Sequence, residues 1–472
     1  MTRRHFTTLL SAPALLTAQP PLDSPRGREL FVDLHWIESF SGDASLRLHA
    51  PVDRGPVMPL DRPWEGAFCG YFTMLRLDNG FRVYYRGIPK AGADGRMEEV
   101  TCWAESRDGI DWRKPADNII LKENPPFSHN FTPFLDTRPG VPEQERFKAL
   151  AGTARSGLVA FASADGLQWR RLRQVLPPTQ VTRYDSQNLA FWSPSEQRYV
   201  LYFRTFKQLA TGGVRWVSRS TSDDFVHWSE PVEMRFLTRS GDPAPPDHLY
   251  TNQTSPYYRA PHIYVAIAAR FLPGRQVLTP QEAQAIHVDP GYFKDTSDAI
   301  LMTSRGGDTY QRTFLESFLR PGLGEQNWVS RTNYPALNLL QTSPGEMSLY
   351  VSRNYGQPTA HLSRYSLRID GLASLHAGFD GGAMATRPFR LDGDSLELNY
   401  STSAAGSVRV QLEDSLGKPW PGFSFADCRE IIGDHISRRV HWTTASLATL
   451  RGKTVRLRFQ LRDADVFSWL IS

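Results

Sequence analysis

Cysteine is scarce in this chain of 472 residues: there are three, Cys69, Cys102 and Cys428, at spacings that fit no metal-ligand set. An odd, scattered trio excludes a disulfide-stapled scaffold and a zinc ribbon, and it leaves at least one thiol free or paired between chains. Long apolar runs are missing as well. The one short run lies near the start, in MTRRHFTTLLSAPALLTAQPP, and it is too short to span a bilayer. Clusters of Lys and Arg are also lacking. The balance of 54 basic against 49 acidic residues, a formal +5, carries no patch able to neutralise many phosphates, which excludes a nucleic-acid partner. Neither a cofactor nor a metal is expected.

The first 19 residues read as an export signal. Arg3-Arg4, Phe6 and a short apolar stretch ending in small residues resemble a bacterial twin-arginine leader, so the expected location is periplasmic or extracellular. A protein exported after folding needs no disulfides, which agrees with the cysteine usage. With 40% apolar and 12% aromatic residues there is ample material for a core, and 35 Gly and 34 Pro scattered along the chain imply many tight turns.

A short phrase recurs: SRDGIDW at 106–112, SADGLQW at 163–169 and SDDFVHW at 222–228, with weaker echoes in SRGGDTY at 304–310 and RIDGLASL at 368–375. Trp112, Trp169 and Trp228 lie about sixty residues apart, and a fixed period of this size marks a repeat architecture. Each period runs strand, turn, strand, strand, then the Asp turn. The first shows it as GYFTMLRL, DNG, FRVYYRG and EEVTCWAES. Alternating apolar residues with closely spaced turns argue for antiparallel strands. Four strands per unit make a propeller blade. In the repeated phrase the Asp bonds N–H groups of its own turn, Gly supplies positive φ, and Trp packs between sheets. Those aspartates are therefore structural.

The expected fold is all-β: a five-bladed β-propeller over residues 64–378 followed by a C-terminal β-sandwich over 379–472, with residues 28–63 as a lead packed on the propeller. Blades I to V are read at 64–125, 126–178, 179–235, 248–320 and 325–378. Blade IV is lengthened by an insertion in which Thr279-Pro280-Gln281-Glu282 fits a helix start.

Innermost strands line a central channel and start at one end of it, so polar residues there are the site candidates. Blade I offers Trp64 and Glu65, blade II His129 and Asn130, blade III Asp185, Gln187 and Asn188, blade IV Asn252 and Gln253, and blade V Glu346. Second strands return to the same end, where Arg86, Arg204 and Arg270 recur. These arginines either fork-bond a substrate carboxylate or hold the ring carboxylates ionised. Carboxylates converging on a sugar-sized pocket suit glycoside hydrolysis, one protonating the leaving oxygen and another attacking or activating water. Asp136 falls at the opposite end of its strand and is set aside. Trp64, Tyr184, Tyr250 and Phe271 are rings for stacking on sugars or simply for packing.

The stretches LFVDLHWIES, RPWEGAF, YDSQNLAFW, LYTNQTSPYY, PGEMSLY, RYSLRIDGLASL and LNYSTSAAGSVRVQLED resemble exported bacterial proteins similar to glycoside hydrolase family 32 in its N-terminal domain. Families 32 and 43 share a five-bladed propeller, and family 32 adds a C-terminal sandwich. Carried over by position, the resemblance implies Glu65 as nucleophile or base and Asp185 as general acid. Where the family has a blade II Asp, this chain has His129-Asn130, so Glu346 is the candidate for the missing carboxylate. The expected activity is hydrolysis of a polysaccharide or oligosaccharide, with Glu65, Asp185 and Glu346 catalytic. Trp64, Arg86, His129, Asn130, Gln187, Asn188, Arg204, Asn252, Gln253 and Arg270 are the candidate sugar contacts. Two alternatives stay open: a sialidase-like hydrolase of acidic sugars, which uses six blades and an arginine trio, and a propeller that binds carbohydrate without turning it over.

Overall fold

The computed structural model describes residues 21–92, 94–121, 126–178, 184–210 and 212–472; the expected leader lies outside them. Five antiparallel sheets of the described residues form the blades. Blade I runs outward through Gly70–Leu77, Gly80–Gly87, Val100–Ser106 and Ile119–Leu121. Blade II follows with Thr132–Leu135, Phe147–Ala151, Leu158–Ser163 and Arg170–Leu176, and blade III with Leu189–Ser193, Arg198–Leu209, Gly212–Ser222 and Val232–Glu233. Middle strands such as Phe147–Ala151 and Leu158–Ser163 are buried at every position. They carry few charges because a blade is covered by sheets on both faces.

Blade IV pairs His248–Thr251 and Thr254–Tyr257 with Ala260–Leu272, then adds Thr296–Ser304 and Thr309–Arg312; Arg235–Thr238 lies parallel on the outside. In blade V the innermost strand is broken into Tyr334–Pro335 and Leu340–Ser343, both paired with Glu346–Arg353. His361–Arg368 comes next, and Val52–Pro59 from the N-terminal lead is the outermost strand.

Aromatic pairs mark every junction of the ring. Tyr84 meets Trp169 between blades I and II, Phe134 meets Phe225, Phe191 meets Tyr264, Tyr250 meets Tyr334, and Trp112 meets Tyr350 where blade V returns to blade I. The chain thus closes on five blades.

The lead expected to pack on the propeller divides instead. Val52–Pro59 enters blade V, whereas Arg28–Leu30, Ile37–Gly42 and Ser45–Leu48 join the C-terminal strands. The sandwich expected there is built as one connected nine-stranded sheet, whose long strands Leu396–Glu413 and Thr454–Ile471 pair along most of their length with register shifts at Asn399/Tyr400 and Thr402/Ser407. Such shifts bend a strand. Leu398, Val410, Leu457, Phe459 and Trp469 are buried in its core.

The repeated turn has the role read from its sequence. In blade II the Ser163 hydroxyl accepts from the N–H of Asp165 and Gly166, and Asp165 Oδ1 accepts from Leu167 N at 2.7 Å and Gln168 N at 2.8 Å. Trp169 Nε1 donates to the Gly166 carbonyl at 2.9 Å, and Tyr84 of blade I donates to the same oxygen. Gly109 and Gly166 have φ of 76° and 73°; in the third copy Phe225 adopts 66°, a conformation that costs a side-chain-bearing residue energy and marks how strongly the turn is imposed.

Burial opposes ionisation of Asp165, but the N–H groups of Gln168 and Leu167 outweigh it and hold the carboxyl below its ordinary value of 3.8. Asp165→Ala is expected to cost about 1–2 kcal/mol, the usual worth of a side-chain cap on free N–H groups, measured by denaturant unfolding at neutral pH. Because the folded-state pKa is lowered, the carboxylate's contribution is present above 3.8 and is lost as pH falls through the lower folded value. The gap between wild type and variant therefore narrows in acid.

Candidate active site

Innermost strands start, and second strands end, at one rim of the ring. Four residues on the approach have left-handed backbones without being glycine: Tyr71 (φ 58°), Gln253 (52°), Arg331 (59°) and Asn333 (64°). Strain of this kind, roughly 1–3 kcal/mol per residue, collects where neighbouring structure fixes a side chain's direction.

Gln187 and Gln253 cross the axis just inside this mouth. Gln187 Nε2 donates to the Tyr71 carbonyl at 3.1 Å and to Thr73 Oγ1 at 3.2 Å, while Gln253 Nε2 donates to Gln187 Oε1 at 2.8 Å and to the Pro335 carbonyl at 2.7 Å. Blades I, III, IV and V are thereby tied together by two amides. Above them is a cavity of about 30 Å³ bounded by Tyr71, Arg86, Tyr250, Arg331, Tyr334 and Tyr355; below them an apolar funnel of about 410 Å³ opens at the far end.

The three carboxylates proposed from sequence do not meet. Asp185 reaches the mouth, partly exposed and ion-paired with Arg204. Glu65 is fully buried within blade I, where it accepts from Arg62 N at 3.0 Å, Lys114 Nζ at 2.8 Å, Asn118 Nδ2 at 3.3 Å and the Tyr85 hydroxyl. It is a structural anchor, not an acid facing substrate. Glu346 begins the second strand of blade V, so roughly 23 Å of strand separates it from Arg353 and Ser352 at the mouth. Its partners there are Arg364 Nη1 at 2.7 Å, Thr342 Oγ1 at 3.1 Å and Arg54 at 3.6 Å. Two carboxyl groups must lie about 5–10 Å apart to share a glycosidic bond, and Glu346 is excluded on that ground.

Most proposed sugar contacts are already engaged by protein. Asn130 Nδ2 donates to the carbonyls of Gly152, Tyr184 and Ser186, and Asn188 Nδ2 to those of Tyr184 and Ser186; together they shape the loop that presents Asp185. Asn252 Oδ1 accepts from Thr254 Oγ1 at 2.7 Å and from Thr254 N, and Trp64 Nε1 donates to Asn118. Arg270 is forked onto Asp298 at 2.8 and 2.6 Å, hence neutralised within its own blade. Arg86 donates to the Phe68 carbonyl at 3.0 Å and lies over Tyr71 with Cζ 4.7 Å from the ring centroid.

His129 is buried at the junction of blades I, II and III. Nδ1 lies 2.9 Å from Glu99 Oε1, Nε2 lies 3.0 Å from the Asp185 carbonyl, and Asp94 Oδ1 is 3.7 Å from Nε2. Burial opposes the charge on Glu99, but its bond to His129, the field of His129 and Arg86, and the Gly95 N–H together hold its carboxyl below the usual range. Glu99 and the exposed Asp94 escaped the sequence reading because they sit in the loop after the second strand of blade I, off the innermost strands. Arg331 and Tyr334 escaped it because the first precedes and the second opens the broken innermost strand of blade V, which carries no alternation.

No family model matches this chain, and no curated protein matches it. Among solved structures it is similar to an N-acetylgalactosamine deacetylase from F. plautii in complex with blood group B trisaccharide (13% identity, TM-score 0.49, covering 69% of this chain and 97% of that one). It is also similar to the catalytic domain of a Coprinopsis cinerea GH62 alpha-L-arabinofuranosidase (8%, 0.43, 68% and 97%) and to a thermostable family-43 glycoside hydrolase (9%, 0.41, 64% and 91%). Likeness at this level carries no activity across, so the chemistry is argued from the mouth itself.

Removing the partner of a buried charge strands it. Lys114→Met leaves Glu65 without its cation at a site closed to water, and the loss is expected to reach about 3 kcal/mol or more, read as a lower urea midpoint with an unchanged slope.

Proposed function

We propose that this chain cleaves a glycosidic bond in a polysaccharide or oligosaccharide at the propeller mouth. The observation that carries the reading is two solvent-reaching aspartates gathered at one edge of His129: Asp94 Oδ1 lies 3.7 Å from Nε2, and the backbone carbonyl of Asp185 lies 3.0 Å from the same nitrogen. Asp185, ion-paired with Arg204, is the carboxylate that attacks or activates water. Asp94, half exposed, supplies the proton to the leaving oxygen. Glu99 and His129 act as positioning residues that fix the two loops. Tyr71 and Tyr250 border the small cavity, above which the sugar ring rests.

Binding without turnover is a second reading, favoured by one feature: the Asp185 carboxylate is already engaged by Arg204. Export through the twin-arginine route belongs to the proposal too, supported by Arg3-Arg4 and by three cysteines that are all buried and free.

Release of reducing ends from a panel of glycans tests the hydrolytic reading. Asp185→Asn and Asp94→Asn are each expected to lower turnover about a hundredfold, the usual size of an acid–base contribution, with ligand affinity retained. Full activity in both variants refutes the assignment; affinity with no turnover in the wild type selects the binder.

A further inference from the structure

Charges above the glutamine plug do not balance. The guanidinium carbons of Arg204, Arg215 and Arg331 stand 5.0, 5.3 and 5.2 Å from the centroid of one ring, that of Tyr250. Arg204 alone among them has a carboxylate, Asp185. Arg215 touches His248 Nδ1 at 3.5 Å and otherwise lies against the rings of Phe206, Tyr250 and Phe271. The Arg331 side chain lies over Tyr250 and Tyr292 and makes no hydrogen bond or ion pair with any described residue.

Rings attract these cations, but they do not cancel repulsion among three like charges gathered around one side chain. Several guanidinium donors are also buried without a partner: Arg204 Nε and Nη1, and Arg215 Nε. A buried donor left unmade is costly, and a set of them gathered around one ring calls for an acceptor. The cavity of about 30 Å³ is lined by Arg331 and Arg86 and by Tyr250, the ring against which Arg204 and Arg215 also lie; it has room for one or two waters. That is the size of an oxyanion, not of a sugar ring. Planar guanidinium forks match carboxylate and sulfate oxygens.

We propose that Arg215 and Arg331, with Arg204 beside them, form a subsite for an oxyanion carried by the sugar, a uronate carboxylate or a sulfate ester, so that the substrate class is acidic glycans. The proposal rests on the mouth being the carbohydrate site. Of the recurring set Arg86, Arg204 and Arg270 read from sequence only Arg204 takes part, since Arg270 is neutralised by Asp298; Arg215 and Arg331 lie outside that set.

Calorimetric titration of the full mature chain tests it with matched pairs: oligogalacturonate, oligoglucuronate and alginate oligosaccharides against their methyl esters, and sulfated galactan oligosaccharides against desulfated ones. In at least one pair the acidic member is expected to bind about tenfold tighter or better, the worth of a charge-assisted fork. Arg215→Gln and Arg331→Gln should each erode that preference, and Arg331→Lys should restore part of it. Equal affinity across all pairs overturns the proposal, as does a preference undiminished in both Gln variants. Inorganic phosphate and sulfate are the remaining probes: if either alone binds as tightly as the best acidic sugar, the subsite takes a free oxyanion and the sugar-borne assignment is overturned. Loss of hydrolysis as a reading is separately visible, because an acid preference that persists in a protein with no turnover keeps this proposal and removes that one.

Discussion

A propeller is stable only if its last sheet meets its first, and in this protein that closure depends on a strand taken from the opposite end of the chain. Val52–Pro59 pairs with His361–Arg368 as the outer edge of blade V, so the ring is complete only when residues some three hundred positions apart have met. Contacts of such separation carry a large loop-closure cost and form late. The strands immediately before it, from Arg28 to Leu48, belong to the C-terminal sheet. Closure and docking of the C-terminal part are therefore linked through one segment of chain. Asp370 makes the coupling concrete: fully buried, it accepts from Tyr257 of blade IV at 2.8 Å and from Ser468 of the C-terminal sheet at 2.7 Å, with Arg28 at 3.9 Å and Arg259 at 3.5 Å. A carboxylate so placed is tolerable only because cations and hydroxyls from several segments surround it.

What closure delivers is a rim where segments distant in sequence present polar groups to one axis. The plug of Gln187 and Gln253 divides that axis into an apolar lower funnel and a charged upper chamber. Neutral amides suit the division, since they satisfy the Tyr71 and Pro335 carbonyls of blades I and V without bringing a charge to the dry side. All the chemistry argued above lies on the upper side. The lower side, lined by residues such as Met74, Phe134, Leu337 and Leu349, carries no carboxylate or histidine along its described walls.

Much of this was legible from the sequence, and the failures have a common physical origin. The Asp turn could be read because its bonds are local, so the same residues must recur wherever the turn does. Blade V could not be read correctly because its innermost strand is interrupted between Pro335 and Leu340. The first regular strand there is Glu346–Arg353, which takes the innermost place in any reading by alternation and shifts the whole blade by one strand. A shift of one strand moves a residue from one end of the propeller to the other, and that is how Glu346 entered the candidate site. Glu65 failed differently. Its position in the chain near the mouth was sound, but whether a side chain turns to water or to Lys114 and Tyr85 depends on residues up to about fifty positions away, which no local pattern encodes.

The arginines at the ends of the second strands carry the argument one step further. Arg86 bonds the Phe68 carbonyl, Arg204 pairs with Asp185, Arg270 forks onto Asp298, and Arg353 bonds Asn333 and the Pro321 carbonyl. Arg86, Arg204 and Arg353 thus tie segments at the rim to their blades, and Arg270 ties two neighbouring strands of its own. An arginine that recurs towards the rim end of the second strand in four of the five blades answers a need those blades share, and that need is architectural. Function requires asymmetry, since a ligand meets each blade at a different angle. Arg215 on a third strand and Arg331 on an approach loop lie outside that recurring set, and no carboxylate among the described residues neutralises them. The repeat marks what the fold requires, and the departures from it are where this protein's recognition chemistry is to be sought.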